Sequence, residues 1–129
     1  MKREGEDITL VATSSMVQVA LGAAKLLEDA GISAEVIDPR TMWPLDEKTI
    51  VESAKKTSRA IVIDEGYGRY GVTGELASVI AEGAFFNLEA PVKRMGAMHV
   101  PIPFSPPLED VTVPTEQTVF EAASKLCGK

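Results

Sequence analysis

The sequence predicts an α/β domain: a three-layer α/β/α sandwich on a mostly parallel sheet of four or five strands. Three observations predict it. A continuous apolar run at 60–63 and a mostly apolar one at 8–13 read as strands, with a further strand at 34–38, and a continuous run reads as a strand buried on both faces, as in parallel sheets. Between them, apolar residues recur at helical spacing. Strand, helix, strand in that order implies right-handed crossovers and parallel pairing.

Each element has its own warrant. The first strand spans 8–13. Ser14-Ser15 follows as an N-cap pair, and Val17, Ala20, Leu21, Ala24 and Leu27 then share one helical face. Gly31 ends that helix as a C′ residue. The second strand is 34–38. A loop punctuated by Pro39 and Pro44 leads to Asp46, a natural N-cap with Thr49 three residues on. The second helix runs to about Lys56 with Ile50, Val51 and Ala54 inward. The third strand, 60–63, leads through Asp64-Glu65 into a glycine loop. A third helix then runs from Thr73 to near Phe85-Phe86, with Leu76, Val79 and Ile80 periodic. After a connector, residues 92–96 read as a fourth strand whose two charges suit a sheet edge. The last helix starts at Pro114-Thr115 and turns Val119, Phe120, Ala123 and Leu126 inward.

Residues 98–110 fit neither helix nor strand. Four prolines lie within 101–107, which excludes a helix or a sheet interior. The segment is too apolar for a solvated linker, since Met98, Val100, Ile102, Phe104 and Leu108 would all be exposed. An extended ribbon packed along a surface is expected.

Bulk properties narrow the function classes. The chain of 129 residues is read as one domain, 8–129, behind a charged lead or linker, 1–7. Its 45% apolar and 25% charged residues are those of an ordinary globular protein. A net charge of −6 argues against nucleic acid and anionic membranes as partners. The one cysteine, Cys127, rules out a disulfide framework and fits a reducing compartment, so a cytoplasmic location is expected. The charged start has no apolar core of a signal peptide, and no run approaches a membrane span.

Four motifs could carry chemistry. Gly66-Tyr67-Gly68-Arg69-Tyr70-Gly71 matches G-x-G-x-x-G between a strand and a helix. Asp64 and Glu65 precede it and would repel a pyrophosphate. It also follows the third strand, whereas the dinucleotide fingerprint occupies the first βα turn. The glycines are therefore read as serving positive φ and close helix–sheet approach. His99, the only histidine, lacks the companions of a zinc site and reads as a loop histidine at a surface or interface. Cys127, at the end of the last helix, reads as an inert, partly buried thiol. Asp38, Asp46, Asp64 and Glu65 gather at strand ends, where carboxylates most often cap helix N-termini.

Several segments occur together in one order: Asp38-Pro39-Arg40-Thr41 with Pro44-Leu45-Asp46, Val62 to Gly66, Gly71 to Ala77, Ala90 to Arg94, and the ribbon His99 to Asp110. In that order the chain resembles the transketolase C-terminal domain of the β subunit of thiamine-diphosphate-dependent 2-oxoacid dehydrogenases. The resemblance covers about residues 8–126. His99 and the ribbon make it most similar to the pyruvate and acetoin dehydrogenase branch.

The resemblance implies an assembly and docking role. In that family, thiamine diphosphate and magnesium sit between other domains of the α and β subunits. The magnesium-binding Gly-Asp-Gly…Asn pattern is absent here, so the domain is expected to bind no cofactor or metal and to carry no catalytic residue. Implied partners are the α subunit, a second β subunit and the basic binding domain of the dihydrolipoyl acyltransferase. Glu89, before an Ala-Pro pair, matches the acidic residue that receives that basic domain, with Leu88 beside it. The chain's last residues, Leu126 among them, line the same surface, although the ending Leu126-Cys127-Gly128-Lys129 is more polar than usual in the family. His99 and Phe104 of the apolar ribbon are expected at a subunit contact. Glu89 is expected to be exposed and to need no internal partner. Two other readings stay open: a stand-alone anion- or nucleotide-binding α/β domain, and the same domain of a transketolase or deoxyxylulose-phosphate synthase. The sequence leaves open which 2-oxoacid, or acetoin, the parent enzyme takes.

Overall fold

The computed structural model describes residues 2–13, 16–39, 46–67, 72–97 and 114–128. Its strands are β1 (Ile8–Ala12), β2 (Ala34–Ile37), β3 (Ala60–Tyr67) and β4 (Lys93–Ala97). Its helices are α1 (Met16–Asp29), α2 (Glu47–Thr57), α3 (Val72–Ala84) and α4 (Glu116–Leu126). A single 3-10 turn, Phe85–Asn87, closes α3.

The described sheet has the order β2-β1-β3-β4, and every pair is parallel. All five residues of β1 are buried, which is why its sequence runs apolar without alternation. Alternate residues still serve different layers. Ile8, Leu10 and Ala12 face α1 and α4, in a core with Val17, Leu27 and Val119. Val11 and Val62 face α2 and α3, in a core with Ile50, Leu76 and Ile80. The three-layer sandwich expected from the sequence is present. The helix ends also match: Asp46 accepts from the Thr49 N–H at 3.2 Å, Gly31 has φ 82°, and Thr115 caps α4.

Most boundaries agree to within one residue, and the largest difference is at the third strand. The third strand does not stop at Ile63 but runs on to Tyr67, so Asp64, Glu65 and Gly66 lie within it. Pairing with β4 resumes at Tyr67↔Ala97 after a register shift beyond Ile63, so the two acids lie at an irregularity within the strand.

The lead is held against the sheet. The N–H groups of Lys2 and Arg3 donate to the Val36 carbonyl at 2.8 and 3.2 Å, and the Val36 N–H donates to Arg3 at 2.9 Å. The Gly5 N–H donates to Glu35 Oε1 at 3.2 Å, and the Ser33 N–H to Asp7 Oδ2 at 2.7 Å. Residues 2–7 thus form a strap over the outer edge of β2, the edge not paired with β1, and blunt it.

Candidate functional site

The two ends of this sheet offer different chemistry. β1 and β3 adjoin, and their crossovers leave in opposite directions, toward β2 and toward β4. Their carboxyl ends form the topological switch point where open α/β sheets build small-molecule sites. Among the described residues there, the Thr13 hydroxyl donates to Asp64 Oδ1, and Asp38 is half-buried at the tip of β2. Asp46 caps α2 instead. Hydrogen bonds from the Thr49 hydroxyl and N–H hold its carboxyl below the usual range. Asp46 is therefore engaged with the start of its own helix. Gly68 to Gly71 of the glycine loop lie outside the described residues. No described group of three or more His, Cys, Asp or Glu side chains is placed to hold a metal ion.

The opposite end, where β3 and β4 begin, gathers the residues singled out for partner binding. Leu88 and Glu89 sit on the connector between the 3-10 turn and β4. Leu88 is half-buried and packs on the core between the sheet, α2 and α3, and its N–H bonds the Ala84 carbonyl at 3.2 Å. The Glu89 N–H bonds the Ser58 carbonyl at 2.8 Å. Its side chain is 60% exposed, yet its Oε2 pairs with Arg59 Nη2 at 2.7 Å. Glu89 is exposed as expected, and it has gained a partner because the two-residue turn from α2 to β3 sets Arg59 beside the connector. The Arg59 Nε–H also donates to the Leu126 carbonyl at 3.1 Å. Leu126 itself packs on the opposite core. One guanidinium therefore joins Glu89 to the end of α4. Sequence reading missed Arg59. The signal was a lone cation in the short step from a helix to a buried strand, where a long side chain reaches whatever borders the strand's start.

An apolar groove of about 690 Å³ opens beside Glu89. Gly74, Ala77, Ser78 and Ala81 of α3 line it, with Phe85, Leu88, the 89–92 connector and Arg94. Phe85 and Phe86 are 67% and 96% exposed, their rings edge to face at 5.2 Å. Paired exposed aromatics beside an apolar groove and an anion are the makings of a protein interface. His99 and Phe104 lie outside the described residues. Cys127 is half-buried at the end of α4, with its Sγ 4.0 Å from the Asp7 carbonyl.

Residues 1–119 match the family model for the transketolase C-terminal domain. The chain belongs to the transketolase C-terminal domain family. Among curated members it is 45% identical over 129 residues to the β subunit of acetoin:2,6-dichlorophenolindophenol oxidoreductase of Bacillus subtilis. It is 43% identical over 125 residues to the pyruvate dehydrogenase E1 component subunit beta of Rickettsia felis. These alignments cover 100% and 97% of this chain but 38% of each relative, so the chain spans well under half the length of the relatives it matches. A solved split-gene transketolase, an inactive β4 tetramer, superposes with a TM-score of 0.79 at 33% identity, over 98% of this chain and 40% of that one. No helix among the described residues is long and apolar enough to cross a membrane.

Proposed function

We propose that this chain is the assembly and docking domain of the β subunit of a thiamine-diphosphate-dependent pyruvate or acetoin dehydrogenase. The observation that carries the reading is the surface at the amino end of the sheet: Glu89 beside an apolar groove and two exposed phenylalanines, far from the strand ends where small-molecule sites are built. Its partners are the α subunit, a second β subunit and the basic binding domain of the dihydrolipoyl acyltransferase. A net charge of −6 favours encounter with that basic domain. His99 and Phe104 of the ribbon serve the subunit contact, and a reducing, cytoplasmic location suits the lone cysteine. The chemistry lies in the parent enzyme's other domains. The transketolase alternative draws on the likeness at 33% identity, but the dehydrogenase β subunits lie nearer, at 43–45%.

Two measurements test this. Titrating the isolated chain with thiamine diphosphate and magnesium is expected to give no heat of binding. A dissociation constant tighter than about 100 µM, near −5.5 kcal/mol, contradicts the reading. Glu89→Ala in the full β subunit is expected to weaken binding of the acyltransferase domain by about 1–2 kcal/mol, most strongly at low salt. The variant should fold with a stability change within about 0.5 kcal/mol, because the Glu89 side chain it removes is 60% exposed and Arg59 keeps its bond to the Leu126 carbonyl. Equal binding at low salt removes Glu89 from the surface.

A further inference from the structure

We infer that Arg59 is the positioning residue of this docking face, an inference that rests on the docking reading above. Its backbone is fixed from two sides. The Arg59 carbonyl accepts from the Thr9 N–H at 2.9 Å and from the Thr57 hydroxyl at 2.9 Å. Ser58 before it holds a left-handed conformation, φ 65°, as the C-cap of α2. From that anchored Cα the side chain, 27% exposed, serves two acceptors at once, Leu126 O through Nε and Glu89 Oε2 through Nη2. The acceptors belong to segments 67 and 30 residues away. The first is one of the last carbonyls of α4, which have no partner within their own helix and which a cation at that end satisfies. The second belongs to the connector, which the Glu89 N–H already ties to Ser58. Glu89 is thus held by both backbone and side chain, and the end of α4 is locked to the same point.

This arrangement has two consequences for a basic partner. The carboxylate is ordered before binding, so less side-chain entropy is lost in the complex. It is also part-neutralised, so the partner's cation must use the lone pairs that Arg59 leaves open. Arg59 need not touch the partner. Only a planar fork serves both acceptors in this way; a lysine ammonium is a single point charge.

The test uses the full β subunit and the isolated acyltransferase binding domain, with association and dissociation rates measured for Arg59→Gln, Arg59→Lys, Glu89→Ala and the Arg59→Gln/Glu89→Ala pair. Arg59→Gln is expected to speed dissociation about tenfold with Glu89 present and less than about twofold with Glu89→Ala, since residues acting through one another are non-additive. Its association rate should not fall, because the face becomes more acidic. Arg59→Lys should resemble Arg59→Gln rather than wild type. Equal effects with and without Glu89, or none, overturn the inference, and so does a lysine variant indistinguishable from wild type. If Glu89→Ala alone leaves binding unchanged, the docking reading fails, and amide exchange decides for Arg59. Faster exchange at the Glu89 N–H in Arg59→Gln, with Val36 unchanged, supports positioning of the connector; unchanged exchange at Glu89 refutes it.

Discussion

Replacing Glu35 by alanine is expected to lower the unfolding free energy by about 3 kcal/mol. Glu35 lies on β2 and is 1% exposed. Its carboxylate accepts from the Ser53 hydroxyl, the Lys56 ammonium and the Gly5 N–H. Ser53 is linked in turn to the Thr9 hydroxyl at 2.7 Å, and Thr9 to Thr57 at 2.8 Å. The substitution leaves the Gly5 N–H without its acceptor and Ser53 short of one, at about 1–3 kcal/mol for a buried polar group left unsatisfied. Lys56 adds little, because its side chain is 40% exposed and can turn to water.

The pair also has a pH signature. Burial pushes the Glu35 carboxyl up, but the bonds from Lys56, Ser53 and Gly5 together outweigh it and hold the carboxyl below its usual value. The bond to Glu35 raises the Lys56 ammonium. A lowered carboxyl gives stability that is complete above its unfolded pKa and lost as pH falls through the folded one. A raised lysine gives stability that is complete below its unfolded pKa and lost as pH rises through the folded one. The contribution is therefore whole between the ordinary carboxylate and lysine ranges and fails at both extremes. Urea unfolding of wild type and Glu35→Ala should show the full difference near pH 7 and a smaller one near pH 3. A difference constant across that range would mean that the carboxylate is not ionised in the fold.

What was legible followed from local signals. The apolar runs gave β1, β2 and the start of β3 because strands buried on both faces have no polar face to alternate. Gly31, Asp46 and Thr115 marked helix ends because the orphan backbone groups there demand those chemistries. What escaped depends on contacts distant in the chain. Nothing local marks Glu35 until Gly5, Ser53 and Lys56 converge on it. The charged lead carries no strand signal, yet its bonds to β2 are mostly backbone bonds that no composition betrays. Arg59 carries no motif, and its pairing with Glu89 depends on a turn whose placement is a tertiary fact. The groove's small residues, Gly74, Ala77, Ser78 and Ala81, have helical spacing, but nothing local says that α3 leaves that face open.

Gly5→Ala is expected to cost about 2–3 kcal/mol, more than most single-methyl additions, because the obstacle is backbone. A Cβ at Gly5 would lie 2.3 Å from the Ala34 carbonyl carbon and 2.5 Å from both the Ala34 oxygen and the Glu35 nitrogen. No rotamer relieves such a contact, so either the strap lifts or β2 shifts. Lifting the strap breaks the Gly5–Glu35 bond and the Arg3–Val36 bridge together. By contrast, a Cβ at Gly22 would meet only the Glu116 side chain, which can swing away into solvent. Hydrogen exchange separates the outcomes. If the strap lifts, the Val36 amide, which donates to Arg3, exchanges faster while the Leu10 amide inside β1 stays protected. Combining Gly5→Ala with Glu35→Ala should cost less than the sum of the two, since both remove one shared hydrogen bond. A Gly5→Ala variant within about 0.5 kcal/mol of wild type would show that the strap is dispensable.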